Sequence, residues 1–167
     1  MVPLKKISIL TIVLIAFTAN ARIIGKFPGW DKLKADSQYI AVVRCANPIP
    51  AKANVLVEGA TESDSEIQIV FTLKGTNNVS SPNLLTDHEL SSGQKYLVFG
   101  YFNNDAYCAY ERFRVVPLDR FFSTHSIAGL PFDEQVDTLL KSALEKAKRQ
   151  EALDQEEEQR LEDAFKK

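Results

Sequence analysis

Lys95-Tyr96-Leu97-Val98-Phe99-Gly100-Tyr101-Phe102 is a run in which apolar residues fall on both faces of an extended chain. A strand with one face in water alternates apolar and polar side chains, whereas a strand without a polar face must be covered on both sides. Residues 95–102 therefore read as a central strand of a closed or nearly closed β-structure. Asn103-Asn104-Asp105 is a turn signal, and Tyr107–Val116 returns as another strand.

Working upstream, Ser37–Cys45 is rich in β-branched and aromatic residues and is ended by Asn47-Pro48-Ile49-Pro50, since proline cannot continue a ladder. Asn54–Gly59 is a short second strand. In Glu66–Lys74, alternation places Ile67, Ile69, Phe71 and Leu73 on one face, which marks a half-buried strand. Gly75–Gly93 is a long polar connection whose Leu84, Leu85 and Leu90 dock back on the core. The expectation is five strands, at 37–45, 54–59, 66–74, 95–102 and 107–116.

Downstream, the period changes. Val136, Leu139, Leu140, Ala143, Leu144 and Ala147 recur at steps of three and four, with Asp133 as the expected cap after Pro131. This is an amphipathic helix whose first half packs on the strands. Beyond Arg149 the apolar stripe thins to Leu153, Leu161 and Phe165, so the second half is expected to be solvated.

The N-terminus carries Lys5 and Lys6, an apolar run Ile7–Phe17 and the small-x-small triplet Ala19-Asn20-Ala21, which together read as a cleavable signal peptide over residues 1–21. The run falls short of the roughly 20 residues that span a bilayer; an uncleaved anchor is the alternative. The expected organisation is 1–21 signal peptide, 22–132 barrel domain and 133–167 charged helix, placed in the periplasm or outside the cell, with no membrane span once cleaved. From Arg22 to Phe132 eleven basic residues balance eleven acidic ones, so the body has no electrostatic footprint for nucleic acid. The acidic excess of the chain lies after Asp133. In an oxidising compartment the pair Cys45 and Cys108 reads as one disulfide, with two buried thiols as the alternative.

Five short strands, a long internal connection and a following helix suggest a five-stranded OB-like Greek-key barrel with a C-terminal amphipathic helix, a mainly β class. Three pieces sharpen this: Trp30-Asp31-Lys32-Leu33, then Ala35-Asp36 leading into Tyr39-Ile40-Ala41-Val42-Val43-Arg44-Cys45, then Phe71–Gly75 followed by Leu90–Phe99. Over Trp30–Leu118 the chain resembles the netrin-like domain of the tissue inhibitors of metalloproteinases. That resemblance implies a secreted protein-binding barrel. In the animal inhibitors a disulfide-bonded N-terminal cysteine sits on the protease zinc; here the expected first residue is Arg22 and the first cysteine is Cys45, so that chelating wedge is missing.

No pattern for a catalytic group, a cofactor or a metal stands out. His88, beside Asp87 and Glu89, and His125 are two loop histidines outside any known ligand spacing. Tyr96, Phe99, Tyr101, Phe102, Tyr107, Tyr110 and Phe113 can be arranged as a stacking platform, but filling the barrel accounts for most of them. Asn78-Val79-Ser80 fits the N-glycosylation triplet. The reading that follows is a non-enzymatic protein-binding module with an unidentified protein partner. Its rivals are an enzyme or enzyme-accessory domain using the 75–93 loop, a metalloprotease inhibitor acting without the N-terminal cysteine, and self-association through the C-terminal helix.

Overall fold

A computed structural model describes residues 26–49, 52–53, 61–76, 82–103 and 106–165. The expected signal peptide over residues 1–21, the expected strand over residues 54–59 and the Asn78–Ser80 triplet lie outside the described residues. Helix α1 (Trp30–Asp36) precedes β1 (Tyr39–Asn47), β2 (Lys52–Ala53), β3 (Thr61–Lys74), β4 (Asn83–Thr86), β5 (Lys95–Asn103), β6 (Ala106–Cys108) and β7 (Val115–Pro117), and the long helix α2 (Phe132–Phe165) follows.

Strand β1 pairs antiparallel with β3 on one edge and β5 on the other. The circuit continues from β3 to β4, from β4 to β6 in parallel, and from β6 back to β5. These five strands close a ring, the mainly β OB-like barrel expected from the sequence; β2 adds to β3 and β7 adds to β5 outside it. The membership of the ring differs from the sequence expectation in two places. Asn83–Thr86, read as connection, is β4, because Leu84 and Thr86 alternate inward while pairing with residues 63–66. The expected strand 107–116 is broken into β6 and β7, which share one edge of β5 at different heights: β6 leaves that edge to close the ring on β4, and β7 then returns to it beside Tyr96–Val98. The break falls at Glu111, the one non-glycine residue with positive φ (79°) among those described.

Alternation along the strands builds two cores. Tyr39, Ala41, Val43 and Cys45 of β1 and Tyr96 and Val98 of β5 point into the barrel with Ile67, Leu84 and Tyr107. Ile40 and Val42, with Leu97 and Phe99, point outward against Leu33 of α1 and Val136, Leu139 and Ala143 of α2. Every face of β1 and β5 is thus covered, which is why residues 95–102 show no polar side. Strand β3 departs from the expected single face. Val43 pairs with Ile69 but Val42 pairs with Phe71, so Val70 is an extra, bulged residue. A one-residue bulge flips the alternation. Ile67 and Ile69 therefore serve the barrel interior, while Val70, Phe71 and Leu73 pack in the outer core.

Two lysines tie the helices to this frame. Lys34 of α1 pairs with Asp31 (3.0 Å) and with Asp133 in the first turn of α2 (2.9 Å). The Asp133 carboxylate, followed by burial and Asp31, sets the Lys34 pKa, with a net upward shift. Asp133 is thus a first-turn residue bridging to α1; the helix starts before it, with Gln135 N–H donating to Pro131 O (2.9 Å). Lys74 donates to Lys34 O (2.8 Å) and Ala35 O (3.1 Å), satisfying the last carbonyls of α1.

The expected disulfide is corrected: Cys45 and Cys108 are both buried and no disulfide joins them. Cys45 lies beside Gln94, the residue before β5, and Cys108 pairs with Tyr101 further along that strand and with Leu85 of β4. Strands β1 and β6 are separated by β5 on one side and by β3 and β4 on the other. Strands two places apart lie about 9–10 Å from each other, beyond the roughly 7 Å between Cα atoms that a disulfide spans. Burial pushes the Cys45 thiol pKa up, and a hydrogen bond with Ser65 offsets part of the rise.

Candidate functional site

The residues singled out by sequence do not converge. His88 lies beside Asp87, 3.8 Å from Nε2 to Oδ1, with its N–H donating to Thr86 Oγ1 (3.3 Å). His125 sits apart in the exposed 3-10 turn Thr124–Ser126. Among the described residues no group of three or more His, Cys, Asp or Glu is placed to share a metal ion. Of the aromatic candidates, Tyr96, Phe99 and Tyr107 are buried, and Phe102 and Phe113 pack against the two cores. Tyr101 and Tyr110 face each other at 6.5 Å, half-buried. Near them Arg114 binds the Glu111 carboxylate (2.8 Å) and donates its N–H to Glu111 O (2.9 Å), while Glu111 N–H reaches Asp87 (3.3 Å). These bonds hold the corner between β6 and β7.

A different place in the chain shows a feature that sequence reasoning passed over. Phe121 is 86% exposed, far more than the other exposed large apolar residues. Its neighbour Phe122 packs into the outer core, so the two adjacent phenylalanines point opposite ways. The loop that presents Phe121 is fixed throughout. Leu118 N–H donates to Lys95 O (2.9 Å), and Leu118 O accepts from the Gln94 side chain and from Lys146 Nζ (3.1 Å). Phe121 N–H donates to Asp119 Oδ1 (2.9 Å), and Arg149 of α2 donates to Asp119 Oδ2 (3.0 Å). Phe122 N–H donates to Asp119 O (3.0 Å), and Lys95 Nζ donates to Phe122 O (2.8 Å).

The electrostatics of this node are one-sided. Arg149 and Lys146 act on the Asp119 carboxylate, Lys95 binds Phe122 O beside it, and Arg120 acts on Lys146. The Phe121 N–H, and after it Arg149, hold the Asp119 carboxyl below its ordinary value. Burial lowers Lys146, with Asp119 opposing that shift.

The Asp119–Arg149 bond also sets where α2 stands relative to the loop. From Lys148 to Ala164 α2 is exposed, and among the described residues it carries the next most exposed large apolar side chains, Leu153 (58%) and Leu161 (55%). Residues four apart form a ridge on a helix surface. The ridge starting at Arg149, which bonds Asp119 two residues before Phe121, carries Leu153, Glu157 and Leu161. The signal in sequence was Asp119-Arg120-Phe121-Phe122, two large aromatics in a charged, non-strand segment where both cannot be buried.

Among the described residues no helix is long and apolar enough to cross a membrane. No known family model matches the chain, and no curated protein matches it.

Proposed function

We propose that this chain is an exported, non-enzymatic protein-binding module whose contact surface is the row formed by Phe121, Leu153 and Leu161. The observation that carries the reading is Phe121: a large aromatic, 86% exposed, on a loop locked by hydrogen bonds from β5 and α2. A side chain so exposed contributes nothing to the fold by burial. An exposed aromatic on a hydrogen-bonded loop, next to Arg120 and two residues from the Asp119–Arg149 bond, has the composition of an interface anchor, because Phe, Tyr and Arg are enriched at interface cores and a preorganised loop loses little entropy on binding. The resemblance of Trp30–Leu118 to netrin-like domains and the signal-like N-terminus support the same reading, since those domains are secreted and act by binding.

The test is affinity capture from the extracytoplasmic fraction with the wild-type chain and with Phe121→Ala and Leu153→Ala. Both variants are expected to keep the circular dichroism and melting temperature of the wild type and to lose a species that it retains. A captured species held equally by all three would refute the assignment of this surface.

A further inference from the structure

The charges on α2 are segregated along its length. Residues 141–149 carry Lys141, Lys146, Lys148 and Arg149 against Glu145. Residues 150–165 carry Glu151, Asp154, Glu156, Glu157, Glu158, Glu162 and Asp163 against Arg160 alone. Asp154 and Glu158, and Glu158 and Glu162, are like charges one turn apart, a spacing that destabilises an isolated helix. The described side chains from Lys148 to Ala164 are exposed. A helix with little tertiary packing gains most from a partner that supplies both apolar contact and opposite charge.

The exposed row has that pattern within itself. Its inner end is basic, with Lys148 and Arg149 on α2, Arg149 bonded to Asp119, and Arg120 next to Phe121 in the loop; its outer end is acidic, with Glu157 and Glu158 in the turn before Leu161. Turned end for end, the row is complementary to its own copy. An isologous two-fold contact has this property, the same patch serving on both partners.

We infer that the partner on this row is a second copy of the chain, with the free halves of α2 antiparallel about a two-fold near Leu153, so that Leu161 of each copy meets Phe121 of the other and the acidic end of each lies on the basic end of the other. The inference rests on the proposed contact surface and names its occupant. Opposite charges at both ends set the register, while Phe121, Leu153 and Leu161 from each copy supply the apolar centre.

Sedimentation equilibrium of the full chain tests it, using two charge-reversed variants, Glu157→Lys with Glu158→Lys and Arg120→Glu with Lys148→Glu, which alter exposed residues outside both cores. The wild type is expected to be a dimer that weakens at least about fivefold between low and high salt. Each variant alone is expected to weaken association at least about tenfold, and a one-to-one mixture is expected to restore a heterodimer, because the reversed ends then match again. Restoration on mixing also shows that both variants are folded. A wild type that stays monomeric at all concentrations, while Phe121→Ala still abolishes capture of another protein, would overturn the second copy as occupant and leave the contact surface standing. A dimer indifferent to salt, to both reversals and to Phe121→Ala would overturn the occupant and the surface together.

Discussion

Gly100→Ala is the substitution that most directly tests the packing of the barrel. Gly100 lies in β5 directly beneath the ring of Tyr39, and a Cβ there would stand 2.8 Å from Cys108 O and 2.8 Å from Tyr39 Cζ, with Tyr39 Cε1 closer still. In an unobstructed strand, replacing glycine by alanine stabilises by about 0.5–1 kcal/mol because the unfolded chain loses freedom. Here neither neighbour can yield easily. The Tyr39 ring is walled by Tyr107 at 4.4 Å and Phe102 at 5.5 Å, and Cys108 O belongs to the backbone of β6, whose pairing with β5 and β4 closes the ring. Overpacking of this kind costs about 1–3 kcal/mol, so the sign reverses and Gly100→Ala is expected to destabilise by that amount. Urea unfolding followed by circular dichroism reads it as a lower midpoint at unchanged slope. The cause is isolated by a cycle with Tyr39→Leu: in that background Gly100→Ala should recover at least about 1 kcal/mol of its cost. A neutral or stabilising Gly100→Ala, or a cost unchanged in the Tyr39→Leu background, would refute the argument.

Tyr39→Phe removes a buried hydroxyl that has no hydrogen-bond partner, and is expected to be neutral or stabilising by up to about 1 kcal/mol at pH 7. Burial, with Tyr107 and Cys108 adding to it, raises the Tyr39 phenol well above 10; the unfolded chain ionises first, so wild-type stability falls as pH climbs past about 10 and that of Tyr39→Phe falls less, as alkaline denaturation curves would record. Leu139→Ala, at a fully buried position under α2, should cost about 2–5 kcal/mol, whereas Leu161→Ala should stay within about 0.5 kcal/mol in thermal unfolding of dilute protein. Asp119→Asn should lower stability at neutral pH by less than about 1 kcal/mol. Because the native Asp119 carboxyl is depressed, its contribution is present above the unfolded value near 4 and is lost as pH falls through the lower native value, so the gap between the proteins should narrow on acidification below about 4; a gap that does not narrow would count against it.

The barrel was legible where one side-chain period ran uninterrupted. Tyr39–Cys45 and Lys95–Phe102 face two cores at once and so carry no polar side, a pattern few environments other than a covered, ring-closing strand produce. The helix was legible in Val136, Leu139 and Ala143, and the loss of its stripe after Arg149 marks where packing stops. What was hidden depended on position along neighbours. The bulge at Val70 leaves the apolar residues of β3 apolar and only reassigns Phe71 and Leu73 to the other core. Strand β4 is four residues long with two inward side chains, too short to show a period. The placing of the two cysteines depends on which strands become neighbours, and that information lies in register rather than in either residue. The Phe121 node consists largely of bonds to main-chain carbonyls from Gln94, Lys95 and Lys146, whose side chains look like ordinary surface residues in the sequence.

Strand β1 sits in the middle of the closed ring, yet it is the first strand in the chain and finds its two neighbours at very different sequence distances. The β3 edge is available once residue 74 has been made, but the β5 edge must wait for residues 95–100. Until then an apolar strand keeps a row of unpaired backbone groups open to any passing chain, the state in which edge-to-edge aggregation begins. Closing that edge joins segments more than fifty residues apart, a non-local pairing of the kind that slows folding. A half-built β1–β3 ladder thus leaves an apolar edge open, and anything that keeps residues 95–100 from reaching β1 lengthens that exposure.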